Sequence, residues 1–383
     1  MVKKQLLEII KCVLNNDYKY IQIDDWDKLL FLAKSQGVLP CVAFYAEKLS
    51  DDKKPDAKIL SFLKKILFQS AIVSETQLQA VEEIQNALEK SQVYSVRLKG
   101  SCTKLRYSSD VLRTMGDIDI LYKPEQHKKF REIMENELHY GDFEEGRKND
   151  TYSKKPHLSI EAHRELVASS SYFAEYYSHV WDRCVPVEGY KYRYQMTIED
   201  EYIYNFIHLT EHFKNGGIGV RFIMDIFIYS RLDMNFEYVE RVLKSFDLLD
   251  FYKTITHLSN VWFGDGSTDE TLEKLTDYIF AGGIFGNAQN ADALAVSHGG
   301  KFHYLMKTIF PPFNDMVSMF TWLKGKKFLL PVAWIIRIFK SFFKRRRNVK
   351  EVMSKARTGD ASKGESIKDF YVECGFPPNI FPQ

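Results

Sequence analysis

The sequence predicts an α+β fold in which a small mixed sheet is flanked by an N-terminal and a C-terminal helical region. Three observations support this prediction. Apolar residues recur three and four positions apart over residues 57–90, which is typical of an amphipathic helix. From Val93 the period changes to the two-residue alternation of strands, in VYSVRLKGS, GDIDILYKP and HLSIEAH. Helical spacing then returns in EYIYNFIHLTEHF and IGVRFIMDIFIYSRL.

These changes of period divide the chain into four parts. Residues 1–90 form an N-terminal helical region, and residues 91–195 form the α/β core, with a helix predicted over EQHKKFREIMENEL. Residues 196–345 form a C-terminal helical region, interrupted by a loop rich in glycine and asparagine, AGGIFGNAQNADALAVSHGG. Residues 346–383 are predicted to be a polar tail.

The composition limits the function classes. Apolar residues make up 45% and charged residues 27% of the 383, as in an ordered globular protein. Lysine and arginine exceed aspartate and glutamate by only two, so no overall field attracts a polyanion. Nucleic acid is therefore not expected as an obligate partner.

Cysteine usage and hydropathy predict a cytoplasmic protein. The five cysteines are scattered and form no C-x-x-C pair, which favours a reducing compartment. Charges interrupt the apolar positions of MVKKQLLEIIKCVLNN, unlike those of a signal peptide. The longest apolar run, residues 328–336, is far shorter than the ~20 residues that a spanning helix requires.

Two aspartates in DIDIL carry the first chemical prediction. On a strand, Asp117 and Asp119 share one face, expected to be exposed, while Ile118 and Ile120 point to a core. Two neighbouring carboxylates repel each other unless a cation lies between them. Mg²⁺ is the fitting ion, because it binds one or two carboxylates together with substrate phosphates.

A third carboxylate follows on a later strand. In HLSIEAH the same period turns Leu158, Ile160 and Ala162 inward and aligns Glu161 with His157, Ser159 and His163 on the opposite face. Glu161 is therefore a candidate third metal ligand. Glu165, a few residues on, is the alternative.

A phosphate seat is predicted where the first strand ends. Lys99, Gly100 and Ser101 lead into a polar segment in which glycine lets a phosphate approach the backbone and the serine hydroxyl holds its oxygens. The following loop contributes the cations Lys104 and Arg113 as further phosphate ligands. Gly100 has a plainer interpretation as a turn glycine.

These motifs, in order, resemble a known family. LKGS, GDIDIL and IEAH are similar to the G-S…D-x-D…E signature of the polymerase-β-type nucleotidyltransferase superfamily, and closest to its uncharacterised bacterial nucleotidyltransferase family. Other features of the chain resemble that family too: WDKLLFLAKSQGVLP, Arg113, the H-x-x-x-H…R-x-x-x-D pattern of His208, His212, Arg221 and Asp225, and the basic C-terminal helix.

The resemblance implies a fold and a reaction. It implies a small mixed sheet with a helical lid, and two-metal transfer of a nucleoside monophosphate from a nucleoside triphosphate, expected to be ATP, to an acceptor hydroxyl. Asp117 and Asp119 would bind the metals, Glu161 would help to hold one of them, and pyrophosphate would leave. The acceptor could be a sugar, another small molecule, a protein side chain or an RNA end. A catalytically idle binding module of the same fold is the alternative.

Two further motifs leave alternatives open. HLTEH, from His208 to His212, matches the H-x-x-E-H pattern of zinc hydrolases, although histidines on a helix more often pack or face a cleft. In residues 328–350, Ile335, Ile338, Phe339 and Phe342 share one face of a basic helix. That helix either packs on the core or makes a weak peripheral contact with a membrane surface.

Overall fold

The structure, a computed structural model, describes residues 1–146, 148–168, 171–297, 300–323, 325–344 and 359–380. Its helices, numbered in chain order, are α1 Val2–Asn15, α2 Trp26–Ser35, α3 Leu39–Lys48, α4 Ala57–Lys90, α5 Gly100–Thr103, α6 His127–Glu132, α7 Ala174–Ser178, α8 Val180–Arg183, α9 Ile198–Lys214, α10 Val220–Tyr229, α11 Phe236–Ser245, α12 Leu249–Phe263, α13 Glu270–Phe280, α14 Ala288–Val296, α15 Gly300–Ile309, α16 Phe313–Met319, α17 Leu330–Lys344 and α18 Ala361–Glu373.

A seven-stranded mixed sheet lies in the middle of the chain, as predicted. Its strands are β1 Ser95–Leu98, β2 Ile118–Tyr122, β3 Gly141–Glu144, β4 Asn149–Lys154, β5 Leu158–His163, β6 Val185–Pro186 and β7 Arg193–Gln195. The spatial order is β3-β4-β5-β2-β1-β7-β6. β2 pairs parallel with β5 and antiparallel with β1. The predicted α+β class is confirmed.

Each face of the sheet packs against a different core. Ile118 and Ile120 belong to a smaller core with the second half of α4 and with α6. Leu98 and Leu121 belong to the larger core, which the helical regions build. Asp119 pairs in register with Leu98, so it lies on the face toward the helical regions. The predicted orientation of Ile118 and Ile120 is confirmed.

The long helix α4 connects the two cores. Asp56 caps its first turn, since its carboxylate accepts hydrogen bonds from the backbone N–H groups of Lys58 and Ile59. The helix is 34 residues long, and its buried residues change from the larger core at Leu63 to the smaller core at Val81 and beyond.

Two segments contain more helix than the sequence predicted. The predicted glycine- and asparagine-rich loop ends at Asn287, whose side chain caps α14. Part of the predicted polar tail is α18, whose Tyr371 is fully buried and donates a hydrogen bond to the carbonyl of Phe213 at 2.6 Å. A few apolar residues at helical spacing suffice to bury this helix, although its composition is polar. Residues 346–358 and 381–383 of that tail lie outside the described residues.

The described helices were compared with the length and apolarity that a membrane span requires. None of them meets both requirements. All five cysteines are free thiols.

Candidate active site

The register of β2 against β5 brings two of the predicted carboxylates together. Asp119 lies directly beside Glu161 on the neighbouring parallel strand. Asp119 is only 5% exposed, so the expectation that it faces solvent is wrong, because the helical regions cover this face of the sheet. The Glu161 side chain is 31% exposed and marks the open side of the site.

Lys99 supplies a positive charge to this carboxylate pair. Its ammonium donates a hydrogen bond to Asp119 Oδ1 at 2.6 Å and lies 3.8 Å from Glu161 Oε2. The backbone of Lys99 has φ 46° and ψ −122°, a conformation that residues other than glycine rarely adopt. Strain of this kind costs on the order of 1–3 kcal/mol and is concentrated at functional sites. The fold therefore holds Lys99 in place at an energetic cost.

His163 completes the cluster and was not among the predicted site residues. Its Nε2 lies 2.8 Å from Asp119 Oδ1 and 3.4 Å from Glu161 Oε2, and the residue is fully buried. Its Nδ1 is buried without a hydrogen-bond partner. The two-residue period had aligned His163 with Glu161, and that alignment was the available signal. Lys99, Asp119, Glu161 and His163 are called the acidic cluster below.

Opposing effects set the ionisation of the cluster. Burial by itself would raise the pKa of Asp119, but the charge of Lys99 and the hydrogen bond from His163 outweigh it and hold that pKa well below its ordinary value. Burial would lower the pKa of Lys99, yet Tyr204, Asp119 and Glu161 raise it above its ordinary value. A carboxylate and an ammonium therefore coexist in a nearly dry site at neutral pH.

The donor atoms of the cluster suit a divalent cation. One ligand atom from each of Asp119, Glu161 and His163 lies within 4.8 Å of the others, which makes this group a possible metal site. Mg²⁺ prefers the two carboxylates, and a histidine that hydrogen-bonds a liganding carboxylate orients it. Asp119 and Glu161 therefore fit as oxygen ligands, with His163 holding Asp119.

Asp117 is not one of the three grouped ligands. It is exposed and precedes β2 by one residue. The strand period still directs it to the same face as Asp119. Asp117 is thus available to a ligand that enters from solvent, whereas hydrogen bonds with Lys99 and His163 hold Asp119 in place.

The predicted phosphate seat is more enclosed than expected. Ser101 is fully buried, and its hydroxyl donates a hydrogen bond to the carbonyl of Leu98 at 2.7 Å. A Cβ on Gly100 would lie 2.6 Å from a terminal nitrogen of Arg113 and 2.8 Å from Met115 Cγ. Close packing therefore requires glycine at this position.

The two predicted loop cations are held by the protein itself. Lys104 is buried, and its ammonium donates a hydrogen bond to Ser74 at 2.7 Å beside a cavity of about 180 Å³. Burial lowers the pKa of Lys104 to about 8. Arg113 donates to both carboxylate oxygens of Asp225, at 3.3 and 2.9 Å, and Tyr107 donates to the same carboxylate at 2.7 Å. Tyr107, Arg113 and Asp225 are called the anchor cluster below.

One face of α9 lies over the acidic cluster. Tyr204, His208 and His212 follow each other at four-residue intervals, so they form a row along the helix. Burial, and then the charge of Lys99, lower the pKa of His208 well below its ordinary value. Burial, Lys99 and Arg221 lower the pKa of His212 to about 4. The region between this row of α9 and the acidic cluster is called the cleft below. Both imidazoles are neutral at neutral pH and therefore leave the positive charge of the cleft to lysine and arginine.

Comparison with protein families decides which family this arrangement belongs to. A family model described as an uncharacterised nucleotidyltransferase matches residues 23–264. The chain belongs to this nucleotidyltransferase family. The match confirms the resemblance found in the sequence and spans the acidic cluster and the α9 row. Searches of the curated proteins and of the solved structures give no match.

An exposed aromatic ring borders the cleft of this family member. Phe285 is 59% exposed and stacks on His212, with ring centroids 5.1 Å apart, while the guanidinium of Arg221 lies 5.6 Å from its centroid. Gly286 makes this approach possible: its φ is +81°, and a Cβ there would lie 2.5 Å from the carbonyl of Gly216 at the end of α9.

The zinc-hydrolase interpretation finds no support in this part of the molecule. The rings of His208 and His212 do approach each other, with centroids 4.6 Å apart. Among the residues that the structure describes, however, the only group of three possible metal ligands is Asp119, Glu161 and His163. The two helix histidines form a wall of the cleft.

Proposed function

We propose that this nucleotidyltransferase moves a nucleoside monophosphate from a nucleoside triphosphate, with ATP as the expected donor, to an acceptor hydroxyl in a Mg²⁺-dependent reaction. The observation that carries the proposal is the in-register pair of Asp119 and Glu161 beside the strained Lys99. In this reaction the acceptor oxygen forms a bond to the α-phosphorus, the bond to the bridging oxygen breaks, pyrophosphate leaves, and the hydroxyl proton is released to solvent.

The cations around the cluster match a triphosphate. Burial, and then the charge of Lys99, lower the pKa of the half-buried Lys148, so the two cations repel each other. Arg221 is buried, its Nε has no hydrogen-bond partner, and its pKa is lowered to about 10 by burial and by Arg113. Cations crowded in this way are stabilised when a polyanion binds between them. Lys99, Lys148 and Arg221 are therefore the proposed phosphate ligands.

Lys99 has a second role in this proposal. The ammonium of Lys99 lies so close to Asp119 and Glu161 that it would repel a divalent ion bound to these carboxylates. Arrival of the triphosphate offers Lys99 a new anionic partner and frees the carboxylates. When bound there, Mg²⁺ would polarise the phosphate oxygens and neutralise the charge that develops on them. Replacement of the Lys99 ammonium by Mg²⁺ at the two carboxylates would thus couple nucleotide binding to metal binding.

Phe285 is the proposed platform for the nucleobase. An exposed ring on the cleft wall can stack on any base, and stacking of this kind contributes about 1–3 kcal/mol. Phe285→Ala is therefore expected to raise the KM for the nucleotide about 5- to 150-fold and to leave kcat nearly unchanged. An unchanged KM would place the base elsewhere.

A catalytically idle binding module is the second candidate, and one observation favours it. The ammonium of Lys99 lies 2.6 Å from Asp119 Oδ1, so a residue of the chain itself can neutralise this carboxylate. In such a module the lysine would remain in place, and nucleotide binding would not depend on Mg²⁺.

Thermal unfolding with ATP distinguishes the two candidates. At an ATP concentration near 100 times Kd, binding stabilises the folded state by about 2.7 kcal/mol. We expect this stabilisation to require Mg²⁺ in the wild type and to be lost in Asp119→Asn but not in Asp27→Asn, a control at an exposed position on α2. Stabilisation that is equal with and without Mg²⁺ would favour the idle module. Mass spectrometry of cell extract incubated with the protein, Mg²⁺ and labelled nucleotide would then identify the acceptor.

A further inference from the structure

A short C-terminal segment concentrates the positive charge of the chain. Residues 300–344 contain eight lysines and arginines and a single acid, Asp315. The whole chain has 53 basic and 51 acidic residues, so the remainder is net acidic. The segment also lies outside residues 23–264, which match the nucleotidyltransferase family. The excess of positive charge therefore lies in a segment that the family model does not cover.

The same segment exposes apolar side chains in rows. On α17, Val332, Ile335 and Phe339 are exposed and follow helical spacing along one face. On α15, Phe302, Met306 and Ile309 form a similar exposed row. The side chain of Phe342, predicted on the α17 face, is not among the described side chains, and residues 345–350 lie outside the described residues. The sequence left open whether this face packs on the core, and the described side chains show that it does not.

The exposed apolar rows belong to a segment that has a packed core of its own. The opposite side of α17 packs with α16 in a small core of its own, made by Met316, Phe320, Leu323 and Ala333. Hydrogen bonds from Trp334 to the carbonyl of Pro311, at 2.8 Å, and from Arg337 to the carbonyl of Thr308, at 2.9 Å, tie α17 to the end of α15. The segment is thus folded with its apolar rows outward.

We propose that residues 300–344 bind the surface of an anionic lipid membrane. A helix that combines exposed aromatic and aliphatic residues with lysine and arginine can bury its apolar face at the boundary between headgroups and acyl chains, while the cations attract the anionic headgroups. The exposed turn between α16 and α17 combines Lys326, Lys327 and Phe328, which is 78% exposed. Nucleic acid matches the charge of the segment, but it offers no apolar medium for Val332, Ile335 and Ile338. This contact would hold the active site close to acceptors at the membrane surface.

The test is sedimentation of the intact chain with vesicles. Vesicles of phosphatidylcholine alone are compared with vesicles that contain roughly one third phosphatidylglycerol, at low salt and at roughly 0.5 M NaCl. We expect binding to the anionic vesicles only, and weaker binding at high salt. Equal binding to both vesicle types, or no binding to either, would overturn the proposal, as would binding to RNA but not to anionic vesicles.

Matched variants assign the contact to this segment. Each lysine near an anionic surface contributes about 1 kcal/mol, or roughly a fivefold change in affinity, so Lys326→Gln with Lys327→Gln should weaken binding on the order of 30-fold. The control is the same change at the exposed pair Lys128 and Lys129. Phe328→Ser should weaken binding about tenfold, whereas Phe31→Ser, at a residue 76% exposed on α2, should not.

The outcomes remain distinct from those of the proposed function. Nucleotide transfer without vesicles should be unchanged in all four variants, because none of these residues contacts the acidic cluster. If Phe328→Ser fails to fold, the paired lysine variant still decides the matter. Equal weakening by the test and control variants would show that the contact is not made by this segment.

Discussion

Two buried charged clusters lie on the same side of the sheet. They differ in how far the protein itself pairs their charged groups. In the anchor cluster, Arg113, Tyr107 and Asp225 use one another's hydrogen-bonding groups, and all three are buried. In the acidic cluster, the carboxylate of Glu161 is partly exposed and Lys99 has a strained backbone. The anchor cluster satisfies its charges within the protein, whereas the acidic cluster leaves charge available to a ligand.

This difference separates the roles of residues that look alike in the sequence. Arg113 and Lys99 are both cations close to Gly100 and Ser101, and both were predicted to bind phosphate. Two hydrogen bonds to Asp225 favour a structural role for Arg113 over its predicted role as a phosphate ligand, because most of its donors on that side are already used. Lys99 keeps its ammonium next to the open side of the site.

The largest expected effect is at the acidic cluster. Asp119→Asn should lower Mg²⁺-dependent transfer on the order of 10³-fold, because it would remove a charge that is proposed to hold the metal. It should also destabilise the fold by about 1–3 kcal/mol, since Lys99 loses its closest partner. Asp117→Asn should leave stability unchanged, because Asp117 is exposed. Initial rates and melting temperatures measure both effects, and normal turnover by Asp119→Asn would refute the assignment.

The anchor cluster should show the opposite pattern. Asp225→Asn leaves Arg113 buried without its counter-charge and should lower the free energy of unfolding by about 3–5 kcal/mol. The double variant Arg113→Met with Asp225→Leu should recover most of that loss. Turnover per folded molecule should change less than tenfold in both variants, measured after correction for the folded fraction. A hundredfold loss of turnover at normal stability would instead make Arg113 a substrate ligand.

A smaller effect is expected between the two clusters, at Gly100. Gly100→Ala should cost about 1–3 kcal/mol of stability, because its Cβ would collide with Arg113 and Met115. Gly116→Ala is the matched control, since a Cβ there meets nothing within 4 Å. Chemical denaturation measures the difference between the two variants. Equal stabilities would mean that Arg113 moves freely and that the anchor cluster is looser than its hydrogen bonds indicate.

The effect expected to be smallest near neutral pH concerns His212 on α9. The pKa of His212 falls to about 4 in the folded state, from an ordinary value of 6.5. Between these values the unfolded chain binds the extra proton, so this contribution to stability is complete above pH 6.5 and decreases as the pH falls toward 4. The slope is at most about 1.4 kcal/mol per pH unit. His212→Gln should flatten the profile of unfolding free energy against pH, whereas His257→Gln on α12 should not, and an unaltered slope in His212→Gln would contradict the assignment.

Local periodicity predicted a large part of the site. The two-residue period of DIDIL and HLSIEAH is enough to place Asp119 and Glu161 on one face of their strands and the isoleucines on the other. The same period aligned His163 with Glu161, but nothing local shows that its ring reaches Asp119. Lys104 and Arg113 were assigned to phosphate because their charge is visible in the sequence, while their partners, Ser74 and Asp225, are distant in the chain.

The sequence by itself determined the α+β class, the family and the face of each strand that carries carboxylates, because these depend on the order and period of neighbouring residues. Only the tertiary structure decided which charges remain available. Burial of Asp119, the pairing of Arg113 with Asp225, and the row of histidines over Lys99 all depend on α9 and α10 covering one face of the sheet. Solvation and pairing set the free energy of a charge, and both are fixed by residues far away in the sequence.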